Sequence, residues 1–138
     1  NCMATDELLK VAAEKAGILD DILALPDGFD TRLGDNAVNR FPPGFMRSLS
    51  LARAFSCNAE VVLLDEPTRG IDVGARSSIY EIIHGLAAEG VAVIVVSSDL
   101  EEVLGVSNRI LVMAAGRQTG ILDHTEASDV SVMELATA

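Results

Sequence analysis

Two adjacent carboxylates follow a run of four apolar residues in the segment Val61 to Pro67. Apolar residues without polar alternation predict a buried β-strand covered on both faces, which is typical of parallel sheets flanked by helices. Asp65 and Glu66 would then emerge together at the carboxyl end of that strand, where open α/β sheets bind their ligands. Such a pair can hold a metal ion and orient or deprotonate a water molecule. The alternative is a structural strand whose carboxylates cap the next helix.

The composition suits one globular domain or part of a larger one. The 138 residues are 49% hydrophobic, which is enough for a core. A formal net charge of −11 argues against a nucleic-acid partner, because neutralising phosphates requires an excess of Lys and Arg. Cys2 and Cys57 have no metal-ligand spacing, and no apolar run reaches the roughly 20 residues that cross a bilayer. These features predict a soluble, cytoplasmic chain.

Helical and strand patterns alternate along the rest of the sequence. The periodicity predicts helices over 6–16, 18–25, 45–55, 74–89, 99–104 and 129–136, and strands over 61–65, 91–96, 109–113 and 118–122, the last antiparallel at a sheet edge. Alternating strands and helices predict right-handed βαβ units and a mainly parallel sheet. The residues Phe41 to Gly44 are expected to be non-helical, because two prolines remove two backbone donors. Glu101 and Glu102 are interpreted as a solvated helix face.

The order of these segments resembles the ATP-binding cassette (ABC) ATPases. An apolar strand that ends in Asp-Glu is their Walker B pattern, and Leu51-Ala52-Arg53-Ala54 precedes it. The segment Thr68 to Ala75 looks like the D-loop of the second cassette of bacterial sugar importers, and the stretches 97–104 and 108–113 fit the same subgroup. Leu25 to Thr31 instead resembles the helical subdomain of ABC exporters. The resemblance leaves the transported substrate and the direction of transport open.

The resemblance implies roles for five residues. Asp65 matches the aspartate that holds Mg²⁺, and Glu66 matches the catalytic glutamate that acts on the attacking water. Asp72 matches the D-loop aspartate, which lies across the subunit interface in ABC dimers. Ser98 occupies the place of the switch histidine that contacts the γ-phosphate of ATP. A serine hydroxyl is shorter and uncharged, so we do not expect it to reach the phosphate while also holding Glu66. Gly44 is the retained glycine of the ATP-binding signature.

The signature is where the sequence departs most from the family. ABC proteins have Leu-Ser-Gly-Gly-Gln there, whose serine hydroxyl and glycine N–H groups bind the γ-phosphate of ATP on the opposite cassette. This chain has Phe41-Pro42-Pro43-Gly44-Phe45. Because a hydrogen bond to a charged group contributes about 1.5–3 kcal/mol, losing two or three should strongly weaken that contact. The phosphate-cradling pattern Gly-x-x-x-x-Gly-Lys-Ser/Thr does not occur in the 138 residues.

The fold implied by the resemblance is α/β, with a P-loop NTPase-like, mainly parallel sheet and flanking helices, preceded by part of the ABC helical subdomain. Residues 1–57 would form the partial helical subdomain, with the degenerate signature and its helix. Residues 58–138 would form the C-terminal half of the RecA-like ATPase core. The expected ligands are ATP and Mg²⁺. The expected partners are a second nucleotide-binding domain, transmembrane transporter subunits at the cytoplasmic face of the membrane, and the N-terminal half of the cassette, in cis or in trans.

Two functions remain open at this point. In the first, the chain is part of an ABC transporter ATPase that powers solute transport, which the Asp65-Glu66 pair favours. In the second, it is a degenerate, non-hydrolysing half that dimerises with a competent ATPase and regulates it, which the altered signature and Ser98 favour. In either case we expect the 138 residues alone to hydrolyse no ATP, and to self-associate through an unpaired apolar sheet edge.

Overall fold

The computed structural model describes residues 5–34, 40–57 and 59–138. The helices are α1 (Asp6–Lys15), α2 (Leu19–Leu23), α3 (Pro43–Phe55), α4 (Val73–Ala88), α5 (Leu100–Val106) and α6 (Asp129–Ala136), with a 3₁₀ turn at Gly28–Asp30. The strands are β1 (Val61–Asp65), β2 (Ala92–Val96), β3 (Arg109–Ala114) and β4 (Arg117–Asp123). The predicted α/β class is confirmed. Of the two cysteines, Cys57 is exposed, and Cys2 lies outside the described residues.

The chain divides into two compact units, the first made of Asn1–Val62 with Pro67–Ile94 and the second of Leu63–Glu66 with Val95–Ala138. In the first unit, helix α1 packs against α2 and α3. Thr5 caps α1, because its side chain accepts a hydrogen bond from Leu8 N at 3.3 Å. Gly17 follows the helix with a φ of 66°, which costs glycine little. The start and the end of α1 therefore follow from its local sequence.

Helix α3 begins earlier than the sequence predicts. Its first residue is Pro43 rather than Phe45, and Pro42 lies outside as the N-cap, with φ −57° and ψ 146°. Proline is tolerated at the first helical position because that N–H has no acceptor within the helix and the ring fixes a suitable φ. The non-helical prediction is thus confirmed for Pro42 and wrong for Pro43 and Gly44.

Strands β1 and β2 form a small parallel sheet. A hydrogen bond of 2.9 Å from Ala92 N to Glu60 O joins their beginnings, and one of 2.7 Å from Glu66 N to Val96 O joins their ends. Parallel strands put their carboxyl ends at one edge of the sheet. The residues that follow β1 and β2 are therefore brought to the same edge.

One face of each of these two strands is exposed, and the other face of β2 is only half-buried. Val62 is 6% exposed, whereas Leu63 and Ile94 are 65% and 53% exposed. The prediction that β1 and β2 are buried on both faces is therefore wrong for the part of the chain that the structure describes. An apolar run specifies a strand, but its burial depends on a layer packed over each face. The uncovered apolar face is consistent with self-association, which stays a prediction.

The second compact unit contains the β3–β4 hairpin and helix α6. The hairpin is antiparallel, as predicted for 118–122, and pairs Ile110 with Leu122. Its turn residues Ala115 and Gly116 have φ values of 48° and 76°, the positive pair that a tight hairpin turn requires. Three buried residues form the core of this unit, with six partly buried ones packed on them: Ile110, Val112 and Val132, then Leu100, Val103, Leu104, Leu122, Ala127 and Leu135.

Glycine at position 120 of β4 is required by the packing of α6. A Cβ added to Gly120 would lie 2.6 Å from Leu135 Cδ1 and 3.0 Å from its Cδ2. Real Cβ contacts are longer, so any side chain here would displace the Leu135 methyl groups. The close approach of α6 to β4 therefore requires a residue without a side chain at position 120.

Glu102 is buried, contrary to the interpretation of Glu101 and Glu102 as a solvated face. Its side chain is fully buried in the second compact unit, and neither carboxylate oxygen has a hydrogen-bond partner among the described residues. Glu101 is exposed, as expected. Two consecutive helical residues project in directions about 100° apart, so charge alone does not tell which one faces the protein. A buried polar group without a partner lowers the free energy of unfolding.

We expect the variant Gly120→Ala to destabilise the chain by about 1 kcal/mol. This is the lower end of the range for overpacking, because the Leu135 side chain can rotate away. Urea unfolding followed by circular dichroism measures the change. The control is Gly85→Ala in α4, where a new Cβ meets nothing within 4 Å and should raise the free energy of unfolding by about 0.5–1 kcal/mol. Equal gains at both sites would contradict the proposed contact between α6 and β4.

We expect Glu102→Met to raise the free energy of unfolding by about 1–3 kcal/mol, because it removes a buried carboxyl group without a partner and keeps a similar volume. The neighbouring Glu101→Met tests whether the gain comes from burial, since Glu101 is exposed and its replacement should change stability by less than about 0.5 kcal/mol. Thermal and urea unfolding of both variants gives the comparison. A loss of stability in Glu102→Met would show that the carboxylate makes a favourable interaction.

Candidate functional site

The predicted carboxylate pair lies at the carboxyl end of β1. Asp65 is the last residue of the strand and is exposed, and Glu66 follows it and is half-buried. Glu66 has a φ of 47°, a left-handed conformation that costs a non-glycine residue about 1–3 kcal/mol. Such a conformation persists only where the surroundings fix it. The surroundings of Glu66 must therefore hold it in this strained conformation.

Two hydrogen bonds hold Glu66. Its backbone N–H donates to Val96 O at 2.7 Å, and its side-chain Oε1 accepts from the backbone N–H of Ser98 at 2.9 Å. The first bond fixes the main chain against the end of β2, and the second fixes the carboxylate against the loop that follows. Both partners lie in the second compact unit with Glu66. The structure thus brings together two of the predicted site residues, Glu66 and Ser98.

The loop that carries Ser98 is itself fixed by hydrogen bonds. Asp99 N donates to Ser97 Oγ at 3.0 Å, which closes a short side-chain turn. The Asp99 carboxylate caps helix α5, because its Oδ1 accepts from Glu101 N at 3.1 Å and from Glu102 N at 3.3 Å. The direction of the Ser98 N–H is therefore set from both sides.

The contact between Ser98 and Glu66 differs from the one that the sequence suggested. The expectation was that the serine hydroxyl would not reach the phosphate while also holding Glu66, whereas the donor to Glu66 is the main-chain N–H of Ser98. No side-chain pattern could have revealed it, because every residue except proline carries this donor. The positive φ of Glu66 has no sequence signal either.

Gly44 and Asp72 lie in the first compact unit, and their predicted contacts with nucleotide stay predictions. Gly44 is in the first turn of α3 and lines a cleft of about 750 Å³ together with Phe41, Pro42 and Phe45. The rings of Phe41 and Phe45 stack with their centroids 5.0 Å apart. The altered signature therefore has a defined local conformation, stabilised by an aromatic pair.

Asp72 is exposed in the loop before α4. The loop turns tightly, since Ile71 N donates to Thr68 O at 3.0 Å, and both of these residues are buried. Their burial anchors the loop and leaves the aspartate at the surface.

The carboxylates suit Mg²⁺ only if it arrives with other oxygen ligands. Among the described residues, no group of three or more His, Cys, Asp or Glu side chains could hold a metal ion. Mg²⁺ is usually bound through one or two carboxylates and the phosphates of its substrate, rather than in a protein cage. The exposed Asp65 fits this role. No helix in the described part of the chain has the length and apolar character needed to span a bilayer.

Curated relatives of the chain are ATP-binding proteins of sugar importers. "Arabinose import ATP-binding protein AraG" of Pseudomonas savastanoi pv. phaseolicola is 59% identical over 93 residues, covering 67% of this chain and 18% of that protein. "Putative ribose/galactose/methyl galactoside import ATP-binding protein 2" of Rhizobium meliloti is 50% identical over 99 residues, covering 72% of this chain and 19% of that protein. These matches lie in the C-terminal part, which confirms the predicted resemblance there. No protein-family model matches the chain.

A solved structure of a bacterial Atm1-family ABC exporter with ATP bound shares the fold. It is 26% identical, with a TM-score of 0.77, over 91% of this chain and 21% of that chain. The fold is therefore that of an ABC ATPase domain, and the chain is related to the ATP-binding proteins of ABC transporters. It spans about a fifth of the length of these relatives.

Proposed function

We propose that this chain is the C-terminal half of an ABC cassette that couples ATP binding and hydrolysis to the transport of a solute. The observation that carries the proposal is the Asp65-Glu66 pair at the end of β1, with the Glu66 carboxylate fixed by Ser98 N at 2.9 Å. In this proposal, residues 1–57 are the partial helical subdomain and residues 58–138 the ATPase core half. A half of this kind needs the phosphate-binding half, supplied in cis or in trans, and a second nucleotide-binding domain.

In the proposed mechanism Asp65 holds Mg²⁺, which neutralises phosphate charge when it is bound. Glu66 orients the attacking water and takes its proton. Because Oε1 is engaged by Ser98 N, the proton goes to Oε2. Gly44 in the first turn of α3 offers its N–H to the nucleotide of the opposite cassette, in line with the preference of helix N-termini for anions. Asp72 and Ser98 complete the nucleotide contacts.

The relatives suggest the solute and the direction of transport. The importers are named for arabinose and for ribose and galactose, and they are 59% and 50% identical over 93 and 99 residues, whereas the exporter is 26% identical over 91% of this chain. We therefore infer that the solute is a monosaccharide and that the direction is import. The chain would then act at the cytoplasmic face of the membrane, attached through transmembrane subunits.

The second candidate is a non-hydrolysing half that regulates a competent partner, and the start of α3 favours it. Pro42 and Pro43 have no N–H, and no side chain caps this helix. The two donors that a signature would offer to the partner's ATP are absent from these positions. This defect concerns the site on the opposite cassette, whereas Glu66 belongs to the chain's own site.

We expect Glu66→Gln to lower ATP turnover roughly 10²–10⁴-fold in a complete cassette that carries this chain as its C-terminal half, because the amide cannot accept the proton of water. ATP binding should remain. The control is Glu60→Gln, an exposed carboxylate just before β1, which should leave turnover unchanged. Single-turnover hydrolysis and ATP titration of both variants separate chemistry from binding. Equal turnover in the two variants would remove Glu66 from the mechanism.

For the second candidate, we expect the double variant Pro42→Ser, Pro43→Gly to raise hydrolysis at the opposite site, because it restores a hydroxyl and two N–H donors at the start of α3. Turnover is measured in a heterodimer whose own-site Glu66 is replaced by Gln, so that only the opposite site reports. The variant Phe45→Leu controls for the stacked rings of Phe41 and Phe45. No gain would indicate that the prolines have a structural role.

A further inference from the structure

The Glu66 side chain is held by a group that does not depend on the identity of residue 98. Ser98 is exposed, and its main-chain N–H lies 2.9 Å from Glu66 Oε1. The main chain of Glu66 is held separately by Val96 O at 2.7 Å. Backbone and carboxylate are thus anchored to the same segment, the end of β2 and the loop after it, although Glu66 and Ser98 are 32 positions apart in the chain.

We propose that the main-chain N–H of Ser98 is the group that positions Glu66 for its reaction with water. The proposal also makes Asp99 a positioning residue, because its cap on α5 and its N–H to Ser97 Oγ orient the Ser98 amide. It rests on the proposed function, in which Glu66 acts on water. The positioning itself is a structural property and can be tested without hydrolysis.

The geometry explains how a serine can stand at this position without loosening the glutamate. A carboxylate that accepts a hydrogen bond from a fixed backbone donor keeps one oxygen in place, so only the orientation of the second remains to be set. The donor is rigid because its loop is closed on both sides, by the Ser97 turn and by the α5 cap. A side chain at position 98 therefore has no part in holding Glu66. The shortness of the serine hydroxyl therefore does not loosen Glu66, and its bearing on a non-hydrolysing role is confined to the contact with the γ-phosphate.

Nuclear magnetic resonance of the nitrogen-15-labelled chain tests this assignment. The Ser98 amide proton should exchange with solvent deuterium more slowly than an unbonded exposed amide, because Glu66 Oε1 accepts its hydrogen bond. The variant Ser98→Ala should keep this protection, since it retains the N–H. Glu66→Ala should abolish the protection, because it removes the acceptor. A Ser98 amide that exchanges equally fast with and without the Glu66 side chain, or a protection lost in Ser98→Ala, would overturn the proposal.

The neighbouring carboxylate of Asp99 needs its own control, because it also lies next to this amide. Asp99→Asn keeps a capping side chain without the charge and should leave the Glu66-dependent protection of the Ser98 amide intact. Asp99→Ala removes the cap and should weaken this protection. Equal protection in the Asn and Ala variants would show that Asp99 does not orient the amide.

If the protection depends on Glu66 while Glu66→Gln leaves turnover unchanged in a complete cassette, the positioning stands and the proposed function fails. The reverse pattern refutes the positioning alone.

Discussion

The hydrogen bond from Glu66 N to Val96 O ties the ends of β1 and β2 together, and the site depends on it. Parallel pairing places both carboxyl ends at one edge of the sheet, so the residues after each strand meet there. Glu66 and Ser98 come within hydrogen-bond distance for this reason. The contact cannot be predicted from the local sequence around either residue alone. The left-handed φ of Glu66 turns the chain directly after β1. This turn directs the Glu66 carboxylate to the loop that follows β2. The strained conformation of Glu66 is therefore fixed by the pairing of β1 with β2.

The sequence predicts this arrangement where the information is local. Apolar runs, N-caps and glycine stops located the strands and most helix ends, because they act over a few neighbouring residues. The features missed include the exposed face that contains Leu63, the burial of Glu102, the start of α3 at Pro43 and the main-chain donor of Ser98. Exposure depends on which layers pack over a strand, and burial of one glutamate in a pair depends on helix rotation. The main-chain N–H of Ser98 cannot be predicted from residue type, because every residue except proline carries this donor.

The two prolines show one property that has opposite effects on folding and on binding. The first N–H groups of a helix have no acceptor within the helix, so Pro43 at the first position of α3 costs the fold little. Those same N–H groups are the donors with which a helix start binds an anion. Proline at the start of α3 is therefore compatible with folding, but it removes N–H donors that phosphate binding would use. The early start of α3 and the proposed weakening of the signature would then have the same physical cause.

The two candidate functions separate once each defect is assigned to the site that it affects. Asp65 and Glu66 are adjacent carboxylates in a chain with a formal charge of −11, so a polyphosphate can approach them only with a cation between them. This requirement is common to hydrolysing sites and does not indicate degeneracy. A serine at position 98 does not loosen Glu66, since the backbone holds the carboxylate. The evidence of degeneracy that remains is the expected loss of a phosphate contact at Ser98 and the two prolines Pro42 and Pro43, which would face the nucleotide of the opposite cassette in the proposed dimer. The chain's own carboxylates can therefore be competent while its signature weakens the partner's site, which makes an asymmetric pair the arrangement most consistent with both observations.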